Sequence, residues 1–338
     1  MKKIYYLLTN IHLCAILGGA RPWQFRPHTI RGKAALMRFA AFRSGGHEGL
    51  AVAHSEGAFH GLLSSDAGYP GSLLTLIQSG DGSFEEAAAV LRNGPVIDLT
   101  KVELLPPLPN PGKIICVGLN YVDHSIESGF TVPDYPTIFT RFASSLIGAG
   151  ASIVRPAVSH QLDYEGEMVA IIGTAGRHIA ESRALDHVAG YSIFNDASVR
   201  DYQRKSPQWT IGKNFDGTGA FGPYLTTADE IPPGGKGLRI RTQLNGATVQ
   251  DASTDDMVFS VARLISILSE AITLSPGDIV VSGTPAGVGM ARNPPLFMKH
   301  GDVCEVEIEG LGILRNTIED EVSVSSCVEA GAAQAPVG

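Results

Sequence analysis

The chain has 338 residues, a formal net charge of -8 and 44% hydrophobic content, enough for one large core or two modest ones. It has no lysine/arginine block long enough to follow a phosphate backbone, which argues against a nucleic-acid partner, and no apolar run long enough to be a good membrane span. Its four cysteines, Cys14, Cys116, Cys304 and Cys327, lack any Cys-x-x-Cys spacing, so neither a zinc site nor a redox motif is indicated; Cys116 and Cys304 lie in apolar runs and read as buried free thiols.

Residues 1–36 form an amino-terminal extension. Lys2 and Lys3 precede the apolar run 4–17 and the small residues Gly18, Gly19 and Ala20, which is partly signal-like, although Thr9, Asn10 and His12 interrupt the run. The other reading is an over-extended start with Met37 as the natural first residue. The free thiols suit a reducing compartment, so the expected location is cytoplasmic, with export by this segment as the alternative.

Residues 37–108 are expected to form a small amino-terminal domain. Within it, 38–42 and 49–53 read as strands around a glycine turn, and 72–78 and 83–92 as helices, the second capped by Ser83 with Glu85 and Glu86 at its positive end. The stretch 106–112 holds four prolines and continues neither a helix nor a central strand, so it reads as the linker to a main domain spanning 109–325. There 113–118, 279–281 and 303–308 are strand candidates, 180–188 reads as a helix, and 259–272 is an amphipathic helix with Val261, Leu264, Ile265 and Leu268 at helical spacing. Residues 326–338 read as a flexible tail. Many glycines and prolines, with no doubly wound alternation, predict a β-rich α+β fold.

Carboxylates inside this apolar text carry the chemical interest. Glu165 and Glu167 lie two apart in a strand-like run and share a face, where their like charges resist burial. A hard cation such as Mg²⁺ would remove that conflict, and Asp196, after the apolar run 188–194, could supply a third oxygen; for the pair alone, two ordinary surface glutamates on a solvated strand face are the simpler reading. If His124 and Glu127 share one helical turn, the carboxylate orients the imidazole and raises its basicity, as suits a general base; an exposed charge pair is the bland alternative. Lys213, amid apolar and small residues, either stabilises an anion beside the metal or snorkels to the surface. Arg200, Asp201 and Gln203 could bind a carboxylate or make structural ion pairs. The run 282–289 lets backbone approach a ligand, with Thr284 offering a hydroxyl, but it is neither a P-loop nor a dinucleotide fingerprint.

Taken in order, the segments 118–124, 163–167, 190–201, 212–215 and 283–289 resemble the fumarylacetoacetate hydrolase family, from about Pro111 to Asp320. The resemblance implies a mixed β-roll catalytic domain, usually a homodimer, with one Mg²⁺ or Mn²⁺ held by Glu165, Glu167 and Asp196. It implies a water-activating dyad of His124 and Glu127 on a segment that often acts as a lid, Lys213 as the cation beside the metal, and Tyr121, Arg141, Arg200, Gln203 and Thr284 as contacts to a small anionic keto acid. The leading expectation is a hydrolase that cleaves a carbon–carbon bond in a β-diketo acid, such as an acylpyruvate or fumarylpyruvate, in aromatic catabolism. An oxaloacetate-type decarboxylase and a 2-hydroxyhepta-2,4-diene-1,7-dioate-type isomerase use the same charge stabilisation, and a non-catalytic binder is a further alternative. The chain departs from the family at Val117, where animal members carry an extra metal-binding aspartate, and at Arg141, which replaces a common lysine.

Overall fold

Two buried faces on one strand organise the molecule. In the strand Gly166–Ile172 every residue is buried. Met168, Ala170 and Ile172 enter one hydrophobic core, while Val169 and Ile171 enter another on the opposite face, as the two-residue repeat of a strand requires. That is why the sequence reads there as an unbroken apolar run rather than an alternation. The structure, a computed structural model, describes residues 37–54, 57–80, 82–129 and 131–322. The expectations for the extension 1–36, for Cys14 and Cys327, and for the tail 326–338 lie outside the described residues.

The strand belongs to a twelve-stranded mixed sheet. Val188–Asp196 and Ile279–Val281 flank it, both antiparallel, and Ile114–Gly118 lies parallel to Ile279–Val281 with Thr137–Thr140 at the edge. In the other direction Gly219–Thr227 follows Val188–Asp196 and then pairs with Arg38–Ser44. A second sheet of five strands, centred on Arg239–Leu244, Val303–Ile308 and Gly312–Asp320, covers the first core. The helix Val261–Ala271 closes that core with Val261, Leu264, Ile265 and Leu268, the face its spacing predicts, and Ser260 caps it by accepting from Arg263 N–H. The second core lies under the helices Leu73–Ser79 and Ser83–Leu91. The free thiols Cys116 and Cys304 are buried, as expected.

Three local expectations are corrected. Residues 37–108 do not stand apart: Phe39 pairs with Leu225, and Phe39, Leu50 and Leu91 share a core with Val169, Ile171 and Phe194, so the described chain falls in one compact unit. Ser83 is not the cap of its helix. Gly82 takes that place in the left-handed conformation, and the Ser83 hydroxyl donates to Leu76 O at 2.7 Å, tying the two helices together. The segment Glu181–His187 is a 3-10 helix; only Ala184 is buried in it, so it presents too little apolar surface to hold a packed α-helix. Among the described residues no helix is long and apolar enough to cross a membrane.

Candidate metal centre and active site

Strand pairing assembles the acidic centre. Glu167 lies opposite Phe194 and Gly166 opposite Asn195; one step further, Asp196 N–H donates to Glu165 O at 2.9 Å. Glu165 and Asp196 thus face each other across two strands, and Glu167 follows on the same face. Their carboxylate oxygens come within 4.8 Å of one another, and all three residues are buried. The next strand adds a backbone contact: where Ile279–Val281 ends, Gly283 N–H donates to Glu167 Oε2 at 2.6 Å. Gly283 has φ +98°, and a Cβ there would stand 2.8 Å from Asn120 Cβ and 2.9 Å from Val117 O, so only glycine brings the amide this close.

Cations surround the carboxylates. Lys213 Nζ bridges Glu165 Oε2 and Asp196 Oδ2, each at 2.7 Å, and lies 4.9 Å from the Phe139 ring centroid. Arg200 donates from Nη1 to Glu165 Oε1 at 2.6 Å and from Nε to Asp163 Oδ2 at 2.8 Å. Arg141 Nη1 pairs with Asp196 Oδ1. Burial alone would raise the Glu165 carboxyl, but Lys213 and then Arg200 outweigh it and hold that group at about 2. Among the described residues no cation pairs directly with Glu167: burial, then Asp196 and Glu165, push its carboxyl well above the usual range, against the pull of Lys213 and the Gly283 N–H. On Lys213 the order is similar, burial opposing its charge and Asp196 and Glu165 overcoming it to leave its pKa raised.

This donor set fits a divalent cation. It consists of oxygen only, which suits Mg²⁺ or Mn²⁺ rather than a softer ion. Each carboxylate oxygen has two lone pairs, so the hydrogen bonds to Lys213, Arg200 and Arg141 leave capacity for coordination. Four buried carboxylates, including Asp163, face three buried cations, and the uncompensated one is Glu167. The expected ordinary surface face for Glu165 and Glu167 is therefore not what forms.

Above the carboxylates, a cavity of about 80 Å³ is lined by His124, Glu165, Glu167, Arg200, Gln203 and Lys213. Its further walls are Leu119, Trp209, Thr284 and Met290. His124 and Glu127 do share a helix, Val122–Glu127, and His124 Nδ1 lies 2.9 Å from Glu127 Oε1. Glu127 also accepts from Gly287 N–H at 2.9 Å on both oxygens, which fastens this helix to the glycine loop. With Nδ1 committed, Nε2 is the ring nitrogen left for chemistry.

The remaining expected contacts divide. Arg200 and Gln203 line the cavity; Gln203 Oε1 accepts from Arg200 Nη1 at 2.9 Å, leaving its NH₂ group as a donor. Thr284 also lines it, with its hydroxyl donating to Gly166 O at 3.0 Å and accepting from Gln250 Nε2 at 2.8 Å. Two expectations are corrected. Arg141 lies outside the cavity wall, its guanidinium spent on Asp196, Ser145, Thr218 and Ala197 O, so it holds a carboxylate rather than a ligand. Tyr121 lines a separate cavity with Asp251 and Asp256, and its buried hydroxyl has no hydrogen-bond partner among the described residues.

Asp163 is the functional-looking residue that spacing did not single out. Its Oδ1 accepts from Gly289 N–H at 2.7 Å and its Oδ2 from Met290 N–H at 2.9 Å and Arg200 Nε. The available signal was its place two residues before Glu165, and nothing local distinguishes a clamp from a ligand.

The fumarylacetoacetate hydrolase carboxy-terminal family model matches residues 113–319. A human protein named a mitochondrial oxaloacetate tautomerase is 37% identical over 313 residues, covering 90% of this chain and 97% of that protein. Among solved structures, a fumarylacetoacetate hydrolase from Exiguobacterium antarcticum superposes with a TM-score of 0.73 at 35% identity, covering 84% of this chain and all of that one. A fumarylpyruvate hydrolase from Pseudomonas aeruginosa, solved with Mn²⁺ and pyruvate, has a TM-score of 0.57 at 31% identity, covering 65% of this chain and 92% of that one.

Proposed function

Because the chain belongs to the fumarylacetoacetate hydrolase family, we propose that it is a divalent-metal-dependent enzyme that moves a proton on the carbon beside a 2-oxo acid's carbonyl, with keto–enol tautomerisation of oxaloacetate as its reaction. The observation that carries this reading is a histidine with one nitrogen held by Glu127 at 2.9 Å, lining the same small cavity as Glu165 and Glu167, two of the three buried carboxylates that converge there. The similarity to the human oxaloacetate tautomerase supports the choice of substrate.

Bound by Glu165, Glu167 and Asp196, Mg²⁺ or Mn²⁺ would supply Lewis acidity to the 2-oxo carboxylate, as in metal-assisted proton abstraction generally. The protein's own part begins with His124. Its Nδ1–H donates to Glu127, which leaves Nε2 unprotonated to accept the C3 proton, and Glu127 then stabilises the imidazolium. Return of that proton to C3 restores the keto form, whereas protonation of the enolate oxygen, by the imidazolium or by solvent, gives the enol. The Lys213 ammonium, held by Glu165 and Asp196, lies beside the negative charge that develops on the substrate oxygen. Leu119, Trp209 and Met290 limit water around that charge.

Hydrolysis of an acylpyruvate is the second reading, favoured by the likeness to the fumarylpyruvate hydrolase. It assigns the same nitrogen to a water molecule instead of a C–H bond. Oxaloacetate decarboxylation and hydroxydienoate isomerisation draw on the same charge stabilisation without that water. The deciding measurement is stopped-flow absorbance of enol-oxaloacetate with Mn²⁺-loaded protein, run beside fumarylpyruvate cleavage. Wild type accelerates ketonisation, and His124→Gln lowers that rate about 100-fold or more. Rapid fumarylpyruvate cleavage with no effect on ketonisation would move the assignment to hydrolysis, and no turnover of either acid, decarboxylation included, would leave a binding protein.

A further inference from the structure

We propose that Arg204 is a specificity-determining residue that receives the distal carboxylate of a dicarboxylic 2-oxo acid; this rests on the reading that the 2-oxo acid end sits at the Glu165–Glu167–Asp196 centre. The cations that line the cavity are not equivalent. Lys213 is buried and spent on Glu165 and Asp196, and Arg200 is buried and spent on Asp163 and Glu165. Arg204 lines the same cavity but is exposed, and among the described residues no carboxylate pairs with it. Its Nη2 contacts Met290 Sδ at 3.3 Å, a weak acceptor that a carboxylate would outcompete.

The local fold explains the placement. The helical turn Arg200–Gln203 starts directly after a short strand, Ser198–Val199, and turns Arg200 and Gln203 inward. Arg204 closes that turn, its N–H donating to Arg200 O at 3.2 Å, and its side chain reaches the cavity from the solvent side. The inner end of the cavity is therefore acidic and set for a cation with a chelating 2-oxo acid, while the outer end carries one uncommitted guanidinium beside the apolar walls of Leu119 and Trp209. A substrate with an alkyl tail would leave that guanidinium unanswered. A four-carbon dicarboxylate would pair it through a charge-assisted, two-point contact.

The experiment compares two substrates that differ only in the distal charge. Ketonisation of enol-oxaloacetate and of its 4-ethyl ester is followed with Mn²⁺-loaded wild type, Arg204→Met and Arg204→Lys. In parallel, calorimetric titration measures binding of L-malate and of L-lactate, which carry and lack a distal carboxylate. Wild type is expected to prefer oxaloacetate over the ester and malate over lactate. Arg204→Met is expected to lower both preferences about tenfold, mainly through KM, and Arg204→Lys to keep part of them. Preferences that survive in Arg204→Met, or a wild type that binds lactate as tightly as malate, overturn the assignment of Arg204. Absence of turnover on both oxaloacetate and the ester, with the malate preference still dependent on Arg204, overturns the tautomerase reading instead.

Discussion

At the scale of single residues, the site separates groups that meet a substrate from groups that hold those groups in place. Glu127 is of the second kind for His124: it accepts from the imidazole and from Gly287 N–H. Glu127→Gln keeps much of the shape but removes the charge that orients and supports the imidazolium, so the ketonisation rate is expected to fall about 100-fold, with a melting temperature close to wild type. Asp163 is a structural clamp on Arg200. Asp163→Asn leaves a buried guanidinium without its counter-charge and is expected to cost about 3 kcal/mol in urea-denaturation stability. A loss below about 1 kcal/mol would mean that Arg200 re-pairs fully with Glu165.

At the scale of elements, neighbouring strands and one loop decide where charges sit. The antiparallel register between Gly166–Ile172 and Val188–Asp196 is what sets Glu165 across from Asp196, since a one-residue slip would turn one of them to the opposite core. The loop after Ile279–Val281 serves both halves of the site, with Gly283 holding Glu167 and Gly287 holding Glu127. A Cβ at Gly287 would stand 2.2 Å from Val249 O, so this loop has no room to drift. Gly283→Ala must displace Asn120 or the loop itself. Its expected signature is a lower melting temperature together with Mn²⁺ affinity reduced about tenfold or more, read by calorimetric titration. Unchanged Mn²⁺ affinity would show that the Gly283 amide does not matter to the centre.

At the scale of the whole molecule, buried like charges make the fold sensitive to an ion. Three carboxylates converge at the junction of strands that also fill both hydrophobic cores, so a cation bound there stabilises the native state and not the unfolded chain. Mn²⁺ at 100 times its dissociation constant is expected to add about 2.7 kcal/mol, seen as a raised melting temperature that a chelator reverses. Glu165→Ala combined with Glu167→Ala should remove that response. A shift of equal size in the double variant would place the ion elsewhere.

Much of this was legible in the sequence for a definite reason. The carboxylates stood out because two like charges on one face of an apolar strand resist burial, although a solvated face could also account for them, and the amphipathic helix at 261–271 because its period matches the face it buries. The spacing of His124 and Glu127 was local, so one helical turn was enough to pair them. What the sequence by itself determined was therefore the chemistry available: oxygen ligands, an imidazole with a carboxylate, a lysine among apolar neighbours. Which of these groups meet was decided by contacts between distant segments. Arg141 turned away from the cavity to Asp196 across 55 residues, Asp163 clamped loop 289–290 across 126, and the amino-terminal strands entered the main sheet through Gly219–Thr227. Spacing along the chain carries no information about such pairings, because they are set by strand register and by the need to satisfy every buried charge, and both exist only once the sheet has closed.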